Sequence, residues 1–140
     1  MQAIRPFYLL ALTLWLAFGA AIAQAGEAKP ALFVNLTAVD PHRVEMALIF
    51  SEAAVGQGYA VTVFLNIDSV RIAEKDNPMF EPSRAHLEQA IKAGAKVIVC
   101  PHCLHYAGLK KADLISGAKV GNSDEILGAL FAPDTRVMSW

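Results

Sequence analysis

The sequence predicts an α/β domain, a three-layer αβα sandwich built on a mostly parallel sheet. Three observations predict it. Short apolar, β-branched runs alternate along the chain with segments of helix length. The first of those runs lacks the clean alternation of a strand with one wet face, so it reads as buried on both sides. Helix start and stop signals fall between the runs. With 140 residues, 55% of them hydrophobic, the chain has enough apolar material for one buried core.

Residues 1–25 stand apart from that domain. Arg5 is their one basic residue, an apolar run from about Phe7 to Ile22 follows, and Ala23-Gln24-Ala25 has the small-x-small pattern that signal peptidase reads. A secretory signal peptide cleaved after about Ala25 is expected, because the run is short and poorly flanked for a membrane span. The α/β domain then occupies 26–140. Loss of Arg5 takes the basic residues from 12 to 11 against 13 acidic ones, a net charge of −2. That balance excludes the electrostatic footprint of nucleic-acid or anionic-lipid binding. The expected location is periplasmic or otherwise exported, where disulfides persist and free thiols are reactive by arrangement.

Within the domain, Ala31–Thr37 is a buried strand. Asp40-Pro41 supplies an N-cap acceptor and a first-turn proline, so a helix starts there and runs to about Val55, before Gly56 and Gly58. Val44, Ala47, Leu48, Phe50, Ala54 and Val55 cover more than one stripe of it, which calls for cover on two sides, by the sheet and by another body such as a second subunit. Tyr59–Leu65 is the second strand. The connection Asn66–Pro82, holding Asp68, Arg71, Lys75 and Asp76, is long enough to be functional or to contain a short helix. Glu81-Pro82-Ser83 opens the next helix, with Leu87, Ala90 and Ile91 inward and Gly94 as its stop. Ala95–Val99 is the third strand and delivers Cys100. Leu104–Lys111 has helical composition, Leu114–Val120 suggests a turn or short strand, and Asn122 with Glu125 is a capping-box pattern. Pro133 ends that helix, and Thr135–Trp140 makes a last strand towards a sheet edge. Asn35, in the first strand, needs a hydrogen-bond partner.

The chemistry concentrates in Lys96–Gly108, KVIVCPHCLHYAG. It holds both cysteines, Cys100 and Cys103, and two of the four histidines, His102 and His105. Ligands in parallel α/β sheets collect outside the carboxyl ends of the strands, so the loops at Asn35–His42, Asn66–Glu81 and Cys100–His105 should converge and bring His42 towards the thiols. A helix beginning at Cys100 would favour a thiolate, and His102 and His105 would carry protons or positive charge.

Four uses of the pair compete. Cys100, His102, Cys103 and His105 together are suitable ligands for zinc or copper(I), although no second ligand pair stands at finger-like spacing. Cys-Pro-His-Cys resembles the active-site tetrapeptide of DsbA-type oxidants, which implies thiol–disulfide exchange. A local disulfide that stiffens the loop is the structural alternative, with little entropic gain from so small a ring. The fourth use is sulfur transfer, in which a thiolate accepts a sulfane sulfur and a neighbouring thiol resolves the persulfide.

From Ala31 to Trp140 the chain resembles the DsrE/DsrF-like family of small α/β proteins. The resemblance rests on the Val97-Ile98-Val99-Cys100 strand end, on Cys103 followed by Gly108-Leu109, on Asp113-Leu114-Ile115-Ser116-Gly117, and on the closing strand after Asp134. It implies a persulfide-carrying cysteine in a trimer or hexamer, with sulfur donors and acceptors as partners and no cofactor. Cys100 matches the strand-end position of sulfur-carrying subunits, and Cys103 the cysteine that many relatives place before Arg-Gly-Leu. The resemblance thus makes Cys100 the carrier and Cys103 the resolving thiol. Where those relatives have arginine, this chain has Ala107.

Overall fold

The computed structural model describes residues 29–140, so the expected signal peptide over 1–25 lies outside the described residues. Five strands form one sheet: β1 (Leu32–Leu36), β2 (Val61–Leu65), β3 (Lys96–Val99), β4 (Ala118–Val120) and β5 (Arg136–Ser139). Their order is β4-β3-β2-β1-β5, and every neighbouring pair is parallel. The last strand is an edge strand, as its mixed pattern suggests, and β4 is the other edge.

The helices are α1 (Pro41–Gly56), α2 (Glu81–Ala93), α3 (Pro101–Tyr106) and α4 (Ser123–Leu130), with 3₁₀ turns at Ile67–Ala73, Pro78–Phe80 and Lys111–Asp113. Their termini follow local chemistry. The Asp40 carboxylate accepts from the Arg43 amide at 3.0 Å, Gly94 closes α2 with a left-handed φ of 117°, and Asn122 accepts from the Glu125 amide at 2.9 Å. The Glu125 side chain does not return to complete a capping box. It binds Lys96 at 2.9 Å and Lys119 at 3.1 Å, which joins α4 to β3 and β4.

One sheet face carries Val34, Leu36, Val61, Val63, Leu65, Val97 and Val99, packed into a single cluster with Val44, Ala47 and Leu48 of α1 and Leu87 and Ala90 of α2. Removing that apolar surface from water drives the fold at roughly 25 cal/mol per Å². On the opposite face, α4 lies over β3, where a Cβ on Gly121 would meet both Ile98 and Ile126. This is the predicted three-layer α/β sandwich, with a sheet that is wholly rather than mostly parallel. Among the described residues no helix is long and apolar enough to cross a membrane.

Two segments differ from expectation. The stretch Leu104–Lys111 is not one helix: α3 ends at Tyr106, Gly108 takes φ 75°, and Lys111–Asp113 forms a separate 3₁₀ turn. Glycine there turns the chain away, since an L side chain resists that backbone region. The long connection after β2 is also largely ordered into 3₁₀ turns, for reasons that bear on the site.

Candidate functional site

β3 runs straight into the thiol pair. The Cys100 amide continues the ladder by donating to the Leu65 carbonyl at 2.9 Å, and Pro101 then begins α3. Proline is at home in a first helical turn, where its missing N–H has no intrahelical role. Leu104 is buried and anchors the short helix, leaving Cys103 half-buried and His102, His105 and Tyr106 exposed. Cys100 caps the helix through sulfur: its Sγ accepts from the Cys103 amide at 3.4 Å. Both cysteines are free thiols.

The connection after β2 is pinned beside them. The Asn66 side-chain amide donates to Asn35 Oδ1 at 2.7 Å, which supplies the partner Asn35 requires. The buried Ser69 hydroxyl donates to the Leu36 carbonyl at 2.6 Å and accepts from the Asn66 amide at 2.9 Å. Val70, Ile72 and Ala73 are buried beneath the segment, and the Ile115 amide donates to the Ala73 carbonyl at 2.9 Å. These anchors hold Ile67 at φ 57°, a left-handed conformation that a β-branched residue adopts only under constraint. In a 3₁₀ turn, residues three apart lie above one another. Asp68 and Arg71 accordingly share one edge of the segment.

That edge and α3 enclose a cavity of about 320 Å³, lined by Ile67, Asp68, Arg71, His102, Cys103, Tyr106 and Ala107. Cys103 faces it and Cys100 is absent from its lining. Arg71 Nη2 reaches the Ala107 carbonyl at 3.4 Å and forms no ion pair with any described residue. Burial pushes the Cys103 thiol up from the ordinary range, and its hydrogen bond to Cys100 and the charge of Cys100 act in the same direction. The Ile67 amide acts against them by donating to the Cys103 sulfur.

The structure thus brings together His102, Cys103 and, through the sulfur cap, Cys100. His105 points to solvent one turn on, and His42 is exposed in the first turn of α1, outside the cavity lining. The alternative metal set of Cys100, His102, Cys103 and His105 does not converge: among the described residues no group of three or more His, Cys, Asp or Glu is arranged to hold a metal ion. Successive positions on one helical turn point in different directions, which is why that tetrad disperses. The sequence placed Asp68 and Arg71 in a connection long enough to be functional or to contain a short helix, without assigning either a site role. The 3₁₀ register that stacks Asp68 on Arg71 was the missing information.

Comparison with known proteins agrees with this fold. The family model of the DsrE/DsrF-like family matches residues 29–138, and the chain belongs to that family. An uncharacterized protein, MJ0989 of Methanocaldococcus jannaschii, is 36% identical over 97 residues, spanning 68% of this chain and 85% of that protein. The crystal structure of the ychN protein from E. coli superposes with a TM-score of 0.68 at 19% identity, covering 80% of this chain and 99% of the other. MTH1491 from Methanobacterium thermoautotrophicum, of unknown function, gives 0.68 at 14% identity over 80% of this chain and all of its own. At those identities the two structures support the fold alone.

Proposed function

We propose that this protein is an exported sulfur-transfer protein of the DsrE type, which holds sulfane sulfur as a persulfide on its CxxC pair. The observation that carries the proposal is Cys103, a thiol facing a cavity that also holds Arg71, with the Cys100 sulfur accepting from its backbone amide. The neighbouring Cys100 sulfur is the acceptor to which the Cys103 proton passes as Cys103 reacts.

Transfer from a persulfide donor then balances simply. Cys103 Sγ forms a bond to the sulfane sulfur as its proton passes to Cys100 Sγ. The donor's S–S bond breaks, its electron pair leaves on the donor's inner sulfur, and no external oxidant is consumed. Cys100, once deprotonated, attacks Cys103 Sγ, expels hydrosulfide and leaves a disulfide. This assigns receipt to Cys103 and resolution to Cys100, the reverse of what the strand-end position implies, because only Cys103 meets the cavity.

Export and cleavage near Ala25 belong to the same proposal, as does assembly into a trimer or hexamer. Exposed Ile49 and Phe50 on α1, and Leu127 and Phe131 at α4, support assembly. Cys100→Ser protein incubated with polysulfide is expected to gain the mass of one sulfur per chain, removable by dithiothreitol, whereas wild type passes on to the Cys100–Cys103 disulfide. A mass unchanged under all donors overturns the proposal. Thiol–disulfide exchange is the second reading, favoured by the Cys100–Cys103 contact, and a pair cycling with thiol partners while taking up no sulfur would select it.

A further inference from the structure

Arg71 is a half-buried guanidinium without a described carboxylate partner, on the wall of the cavity that Cys103 faces. Its one side-chain hydrogen bond among the described residues is long, 3.4 Å to the Ala107 carbonyl, so most of its five N–H donors remain for something else. A guanidinium partly withdrawn from water is costly unless an anion or acceptor compensates it. The surroundings favour a guest over mobility. Val70 and Ile72 are fully buried on either side, Ser69 and Asn66 lock the turn, and Ala107 presents only a methyl group where a longer side chain would fill the space. Asp68 shares the cavity wall, so the oxyanion end of a guest is drawn to the Arg71 side.

We infer that Arg71 is the specificity-determining residue of this cavity, holding the terminal oxyanion group of a small sulfane-sulfur donor of the thiosulfate class while the donor's outer sulfur meets Cys103. The inference rests on the sulfur-transfer reading and deepens it. A planar fork of N–H donors suits two oxygens of a sulfonate end in a way a lysine point charge does not. For thiosulfate, the bond from Cys103 Sγ to the outer sulfur forms, the bond to the sulfonate sulfur breaks, and sulfite departs with the electron pair. The Cys103 proton passes to Cys100 Sγ. Arg71 faces the charge left on sulfite, so its contact strengthens as the bond breaks.

The experiment separates the anion site from the sulfur chemistry. Alkylation of Cys103 is followed by peptide mapping with iodoacetate, which is anionic, and with iodoacetamide, which is neutral and of similar size. In Arg71→Gln the iodoacetate rate is expected to fall about fivefold, as for one partly exposed charge contact, with the iodoacetamide rate nearly unchanged. Arg71→Lys should recover part of the ratio. An unchanged ratio, or an equal fall with both reagents, overturns the assignment whether or not Cys103 takes up sulfur. A shifted ratio in a protein that takes up no sulfur supports the anion site and counts against the transfer reading alone. Should Arg71→Gln fail to fold, the wild-type chain answers: sodium sulfate at constant ionic strength should slow iodoacetate saturably, and absence of saturable protection overturns the assignment.

Discussion

Cys103 is where local geometry becomes chemistry. Burial and the neighbouring Cys100 raise its thiol above the ordinary range, whereas the strained Ile67 backbone turns an amide towards its sulfur. Replacing Cys100 with alanine removes both the hydrogen bond and the charge and leaves burial as the one upward influence, with the Ile67 amide still acting against it. The pH midpoint for alkylation of Cys103 should therefore fall in Cys100→Ala, and a midpoint that stays put or rises would show that the two thiols are not coupled. The sequence made Cys100 and Cys103 conspicuous by spacing alone. It did not reveal which of them faces the cavity, since that depends on how far β3 extends before α3 begins.

At the scale of elements, boundaries written in one or two residues were legible: Asp40-Pro41, Gly94 and Asn122 each act where their chemistry places them. Boundaries set by partners were not. The 3₁₀ segment Ile67–Ala73 is fixed by hydrogen bonds to the end of β1, with Asn66 bonded to Asn35, 31 residues earlier, and by the antiparallel bridge between Glu74 and Leu114. No local pattern announces such anchors. Gly117 is a related case, for it has φ +88° and a Cβ there would stand 2.5 Å from Ile91 Cγ2. Gly117→Ala combines backbone strain with overpacking against a stiff side chain and should cost about 2 kcal/mol or more by urea denaturation. A loss below a few tenths would mean that the contact between α2 and the approach to β4 is loose.

The ion pairs around Glu125 join a third element to the same side. Hydrogen bonds from Lys96 and then Lys119 lower the Glu125 carboxyl below 4.5, its ordinary value. A depressed folded-state value stabilises above the unfolded one, and the contribution disappears as the pH falls through the lowered value. Glu125→Gln should therefore flatten the stability profile below about pH 4.5, while a profile identical to wild type would show the network to be inert in solution.

For the whole molecule, the two faces of the sheet are unequal. One is sealed by α1 and α2. The other has α4, which contributes no buried residue and leaves Leu127 50% and Phe131 77% exposed, with Val137 of β5 at 53%. The proposed assembly would cover these side chains. The mature chain should therefore run as a trimer or hexamer by light scattering at micromolar concentration, and Phe131→Glu should shift it towards monomer. A wild-type monomer would contradict the assembly proposed here. The parallel sheet itself was legible throughout, because alternating strand and helix runs leave few topologies open. The exposed second face was not, because the one sign of a partner in the sequence, the broadly apolar first helix, lies on the sealed face.

The central claim is that sulfur arrives on Cys103. Its most direct test is peptide-resolved mass spectrometry of the mature protein after incubation with thiosulfate, with released sulfite measured alongside. Sulfite release with one added sulfur on Cys103 in Cys100→Ser, the resolved disulfide in wild type, and neither product in Cys103→Ser is the predicted result. No added sulfur in Cys100→Ser, or an adduct that survives Cys103→Ser, would contradict it.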